Sequence, residues 1–200
     1  MNRIFWLSVL AVLPILPAVA NGQAAPVKGA GAVGEAPNYK YEAYVAFGYT
    51  SLNQVNLSRH GLMGERFGVM RDWGKYFGLG GVADYYRYAT GSGNPGDPSV
   101  YSFSVVPELH GYNLIGPVGV VVFGELGGEH TGGEAITPVV SFAGGFGGGA
   151  VYTLNKHFDL RATGDRYAGS FSLSNNTPGL AYSPHKTWNP RAAFGVVYKF

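Results

Sequence analysis

From Tyr41 onward, apolar and polar residues alternate in short runs, and none of the apolar runs reaches the roughly 20 residues that a membrane-crossing helix needs. The last ten residues are the clearest case. Pro190, Ala192, Phe194, Val196, Tyr198 and Phe200 fall on one face of an extended strand, while Asn189, Arg191, Ala193, Gly195, Val197 and Lys199 fall on the other. Side chains on a strand alternate with a period of two, so this segment has one face suited to hydrocarbon and one suited to a polar interior. The same division sets Tyr41, Ala43, Val45, Phe47 and Tyr49 against Glu42, Tyr44, Ala46, Gly48 and Thr50, and Tyr101, Phe103, Val105, Pro107 and Leu109 against Ser102, Ser104, Val106, Glu108 and His110. Phe158, Leu160, Ala162 and Gly164 likewise oppose Asp159, Arg161, Thr163 and Asp165.

Eight strands are predicted, over residues 41–51, 61–71, 76–88, 100–111, 117–129, 139–153, 157–171 and 190–200. Each is near the roughly 9–11 residues that a tilted strand needs to cross the hydrocarbon. The second and sixth are less sharply patterned, the sixth because Gly144 to Gly149 leaves few side chains to alternate. Tight connectors are expected at Asp72 to Lys75, Tyr112 to Gly116 and Leu154 to Lys156, and long ones at Ser51 to His60, Ala89 to Ser99, His130 to Pro138 and Ser172 to Asn189. Short turns on one rim and long loops on the other are the asymmetry of a barrel with a periplasmic and an outer side. Tyr49, Tyr85, Tyr101 and Phe171 lie near the loop-side strand ends and Trp73, Phe77, Tyr152, Phe158 and Phe200 near the turn side, as two membrane interfaces require. The expected fold is all-β: an eight-stranded, antiparallel, up-and-down transmembrane β-barrel over residues 41–200.

The N-terminus agrees with an envelope destination. Arg3, the apolar run from Ile4 to Leu16 and Ala18-Val19-Ala20 have the organisation of a secretory signal peptide, expected over residues 1–20. Residues 21–40, rich in Ala, Gly and Pro, are expected to be a flexible periplasmic leader. Cysteine is absent, which excludes disulfides and thiolate metal sites. Gly is abundant at 32 residues without a Gly-X-Y period, which favours many short strands over a collagen-like chain. A net charge of +2 without any Lys/Arg cluster excludes a dedicated nucleic-acid binder.

The signal peptide, the leader, the alternating strands and the closing Phe194-Gly195-Val196-Val197-Tyr198-Lys199-Phe200 resemble the small OmpA-like or OmpX-like outer-membrane barrels. Tyr44 to Leu52 and Leu154 to Arg161 look like that family too. The resemblance implies a place in the cell outer membrane, contact with outer-membrane lipids and lipopolysaccharide, and an insertion signal, made of Phe194, Tyr198 and Phe200, that the barrel insertion machinery reads. The chain departs from full-length OmpA after Phe200, so anchoring through a peptidoglycan-binding domain is not expected.

Alternation also aims charge inward: Glu42, Asp84, Glu108, Glu125, Arg161, Asp165 and Arg191, joined by Arg66. An eight-stranded barrel is just wide enough for side chains to fill it, and charges there must pair because isolated burial costs several kcal/mol. These residues are expected to form a lumen charge network that plugs the barrel, the alternative being a gated, narrow, low-conductance channel. Gly145 to Ala150 lacks the strand–turn–helix setting of a phosphate-binding loop, so its glycines are expected to relieve crowding. Glu125, Glu129, His130 and Glu134 lie close in sequence, but spacing alone shows no converging cation ligands, and no metal or cofactor is expected. Some eight-stranded barrels modify lipid A, one type through a His-x-Ser pair. Here His157 precedes Phe158 and Asp159, and Ser183 precedes His185 in the reverse order, so no catalytic residues and no enzyme activity are expected. Nor do residues 21–38 resemble the amphipathic helix that opens the palmitoyl-transferring type. A structural or surface-interaction role is left, with the long loops outermost, above all Ser172 to Asn189 with Tyr182, His185, Lys186 and Trp188.

Overall fold

Each alternating run becomes one strand: β1 (Tyr41–Asn53), β2 (Arg59–Trp73), β3 (Phe77–Ala89), β4 (Ser99–Ile115), β5 (Val118–Gly133), β6 (Ile136–Thr153), β7 (Phe158–Phe171) and β8 (His185–Lys199). The computed structural model describes residues 40–53, 59–89, 98–133, 136–171 and 185–200. The expected signal peptide, and the expected leader up to residue 39, lie outside the described residues. All strands pair antiparallel with their sequence neighbours, and β8 returns to β1 to close an up-and-down barrel. At the seam Tyr41 N–H donates to the Phe200 carbonyl at 3.1 Å and Phe200 N–H donates back at 2.9 Å, so no strand edge is left there to template aggregation.

The two faces fall as the alternation requires. On β4, Ser102, Ser104, Val106, Glu108 and His110 are buried, while Tyr101, Phe103, Val105 and Leu109 are exposed. The outward set continues through Phe47, Phe67, Val122, Leu126, Phe146 and Phe194, a belt of large exposed apolar side chains with none of the other described residues over it. Phe103 and Leu126 remain 64% and 59% exposed, which in water would cost apolar burial and in a bilayer costs nothing. Inside, two apolar clusters cap the charges: Leu52, Leu62, Tyr86 and Val100 toward the loop rim, and Met70, Val82, Val106, Val121, Phe123 and Val151 deeper down.

Three connections differ from expectation. The connector at His130 to Pro138 is not a long loop, because β5 and β6 stay paired through Thr131↔Val139 to Gly133↔Ile136, leaving only residues 134–135 between them. Pairing here outlasts the apolar pattern because backbone hydrogen bonds ask nothing of side-chain polarity. The turn at Tyr112 to Gly116 is instead a continuation of β4 to Ile115 with a register irregularity after Gly111, where Asn113 takes φ 52°, a left-handed conformation that Asn tolerates. Finally, β8 begins at His185, so Trp188 is a strand residue packed edge-on to Phe146 at 5.8 Å and not part of a loop. Tyr182 lies outside the described residues, as do the side chains of Phe171, His185 and Lys186.

Candidate functional site in the lumen

The lumen holds two tiers of charge. In the middle tier Arg66 on β2 and Arg191 on β8 share the same three carboxylates, Asp84 on β3, Glu125 on β5 and Asp165 on β7. Arg66 Nη1 donates to Asp165 Oδ2 at 3.1 Å and Nη2 to Glu125 Oε1, and its Nε lies 3.1 Å from Asp84 Oδ1. Arg191 Nε donates to Asp165 Oδ1 at 2.6 Å, Nη1 to Asp84 Oδ2 at 3.0 Å and Nη2 to Glu125 Oε2. Each carboxylate therefore spends one oxygen on each guanidinium. Ser102 Oγ adds a 2.9 Å bond to Asp84, and Arg191 lies 3.9 Å over the Tyr167 ring. Five strands are thus tied across the barrel at one level. The lost hydration is replaced by fixed, paired donors, the condition under which buried charge is tolerated.

The second tier lies toward the turns. Arg161 holds Glu108 with two donors, Nη1 to Oε1 at 3.3 Å and Nη2 to Oε2. His110 Nδ1 stands 3.6 Å from Glu108 Oε1 and 4.0 Å from Asp72 Oδ1. Tyr112 O–H donates to Glu42 at 2.5 Å, and Lys199 Nζ donates to Asp159 at 2.7 Å. Between the tiers, Tyr44, Arg66, Phe123, Glu125 and Arg161 line a cavity of about 10 Å³, close to the least that accommodates one water molecule.

Of the eight charges expected to face inward, Arg66, Asp84, Glu125, Asp165 and Arg191 meet in the middle tier, Glu108 and Arg161 pair in the second, and Glu42 bonds Tyr112. Asp159, Lys199, His110 and Glu129 are buried as well, Asp72 is half-buried, and all five were missing from that set. Asp159, Lys199 and His110 already stood on the polar face of their alternating segments, and Asp72 continues the inward parity of Met70, so the same count reaches them once β2 is extended to Trp73. The sequence cluster of Glu125, Glu129, His130 and Glu134 is divided by the pleat. Glu125 and Glu129 point inward, whereas His130 is exposed and packs against Tyr101 at 6.2 Å; Glu134 lies outside the described residues. Gly145 to Ala150 runs within β6 as ordinary strand. Of the residues expected to form an insertion signal, Phe194 and Tyr198 sit on the outward face of β8 and Phe200 stacks on both Tyr198 and Tyr41 at 5.8 Å.

A closed, antiparallel eight-stranded barrel with an apolar outer belt and a charged, side-chain-filled interior is a transmembrane β-barrel of the outer-membrane type. No protein-family model matches the chain, and no curated protein matches its sequence. Solved structures do match. Neisserial surface protein A superposes with a TM-score of 0.61 at 14% identity, over 81% of this chain and 97% of that one. Ail, the attachment invasion locus protein of Yersinia pestis, gives 0.53 at 12% identity over 81% and 99%, and OprG from Pseudomonas aeruginosa gives 0.50 at 13% over 82% and 97%. The chain has the fold of these small outer-membrane barrels across the whole of its strand region.

Proposed function

We propose that this protein is a plugged outer-membrane barrel with a structural and surface-interaction role, non-catalytic, which meets its surroundings through its rims and loops. The observation that carries the reading is the middle tier: two arginines and three carboxylates pair with one another across the lumen, so that at this level paired side chains fill the space a water path would need. On the same reading, residues 1–20 direct export, residues 21–40 lead into the barrel from the periplasm, and Phe194, Tyr198 and Phe200 are read by the insertion machinery. Lipopolysaccharide and membrane lipids are the standing neighbours of the belt.

Ail has been solved in complex with the heparin analogue sucrose octasulfate. Here Arg59 and Arg166 are exposed on the loop-side half of the barrel, which makes sulfated polyanions the first ligand class to screen at this surface. Planar-bilayer recording tests the plug. The refolded barrel is expected to insert without unitary currents, and reproducible single-channel steps would establish a channel in its place.

A further inference from the structure

Charges on the turn side of the barrel are sorted by face. Glu42, Glu108 and Asp159 are buried in the lumen and Asp72 is half-buried, whereas Lys40, Arg71, Lys75 and Lys156 are exposed, and no exposed acidic side chain accompanies them at this rim among the described residues. Arg71 stands apart from the other three. It projects from the outward face of β2 with its guanidinium carbon 5.8 Å from the Tyr41 ring and 5.3 Å from the Trp73 ring. Both rings are themselves supported, Tyr41 stacking on Phe200 at 5.8 Å and Trp73 on Phe77 at 6.0 Å. Lys75 Nζ lies 5.2 Å over Tyr76 in the adjoining turn, and Lys40 is fastened alongside by the bond from Asp72 N–H to its carbonyl at 2.9 Å. Among the described residues, none accepts a hydrogen bond from the Arg71 guanidinium.

An arginine held between two rings has already lost much of its side-chain freedom, and its planar fork matches a phosphate's oxygens. Exposed Trp and Tyr settle at headgroup level, which brings this fork to the depth of the phosphates. Three exposed cations without an exposed acidic side chain beside them favour a headgroup of net negative charge over a zwitterion, which would bring a further cation into the same place. We propose that Arg71, with Lys40 and Lys75, binds the phosphate of an anionic phospholipid in the leaflet on the turn side of the barrel. The site rests on the reading of the protein as bilayer-spanning.

Native mass spectrometry of the full chain, released from nanodiscs containing equal phosphatidylglycerol and phosphatidylcholine, tests it. Wild type is expected to retain phosphatidylglycerol preferentially. Arg71→Gln should lower that preference about fivefold, the worth of one interfacial cation, and Arg71→Gln with Lys75→Gln should lower it further. Lys156→Gln, on the same rim without such a ring clamp, should leave it unchanged, and a heat-modifiable gel shift shows that each variant has folded. Equal retention of both lipids by wild type, or equal losses from Arg71→Gln and Lys156→Gln, would overturn the site while leaving the membrane reading intact. Failure of the wild type to enter bilayers at all would remove both.

Discussion

Arg66 and Arg191 carry more of the lumen than any other residues, since each touches all three of Asp84, Glu125 and Asp165. Removing one guanidinium strips a counter-charge from three buried carboxylates at once. Arg191→Ala is therefore expected to destabilise the barrel by about 3–5 kcal/mol in urea unfolding from lipid vesicles. Arg191→Lys should recover only part of this, because an ammonium cannot reproduce the three-way fork. Gly147 is fixed by the same tier from behind: a Cβ there would stand 2.4 Å from the Asp165 Cβ and 2.5 Å from the Gly164 carbonyl oxygen. Gly147→Ala should cost about 1–3 kcal/mol in the same assay, an overpacking penalty in the absence of any lost contact. Which residues face inward was legible from parity alone. Which of them meet was not, because Arg66 reaches Asp165, 99 positions away, only through the curvature of a closed barrel.

Strands were legible where the lipid enforces alternation and illegible where it stops. Inside the hydrocarbon a polar side chain on the outward face is costly, so β1, β4, β7 and β8 declare themselves by period. Above it that penalty vanishes, and β5 and β6 continue to Gly133↔Ile136 with nothing in the sequence to distinguish strand from loop. Trp188 was misplaced for another reason: Asn189-Pro190 has the composition of a turn, although Trp188 and Pro190 alternate with Thr187, Asn189 and Arg191. Position along a strand has its own consequence. Leu126 lies at the middle of β5 on the outward face, 59% exposed, so Leu126→Arg should cost about 2–4 kcal/mol in vesicle-based unfolding. For β8, Phe200→Ala with Tyr198→Ala should reduce the heat-modifiable, assembled fraction in cells while refolding in detergent is preserved. Equal loss in both settings would show that these rings act through the packing of Tyr41, Tyr198 and Phe200 and not as a signal.

At the scale of the whole molecule, an inverted protein results: charge paired at the centre, large apolar side chains outside, and a seam closed between Tyr41 and Phe200. That arrangement makes sense only with hydrocarbon around it, because the belt has no other partner among the described residues. The overall fold was legible early, since period, strand count and turn rhythm each point to a closed sheet. The surface that meets other molecules was not, because recognition on loops and rims obeys no periodicity. The chain has no cysteine, so single spin labels can be introduced one position at a time along the outward face of β4, at Tyr101, Phe103, Val105 and Leu109, with Lys75 as the reference in a turn. Collision with dissolved oxygen against a water-soluble relaxant, measured in lipid vesicles, should give an oxygen excess that peaks at Val105 and falls toward both ends, with the relaxant dominant at Lys75. Relaxant access at Val105 equal to that at Lys75 would contradict a membrane-spanning barrel.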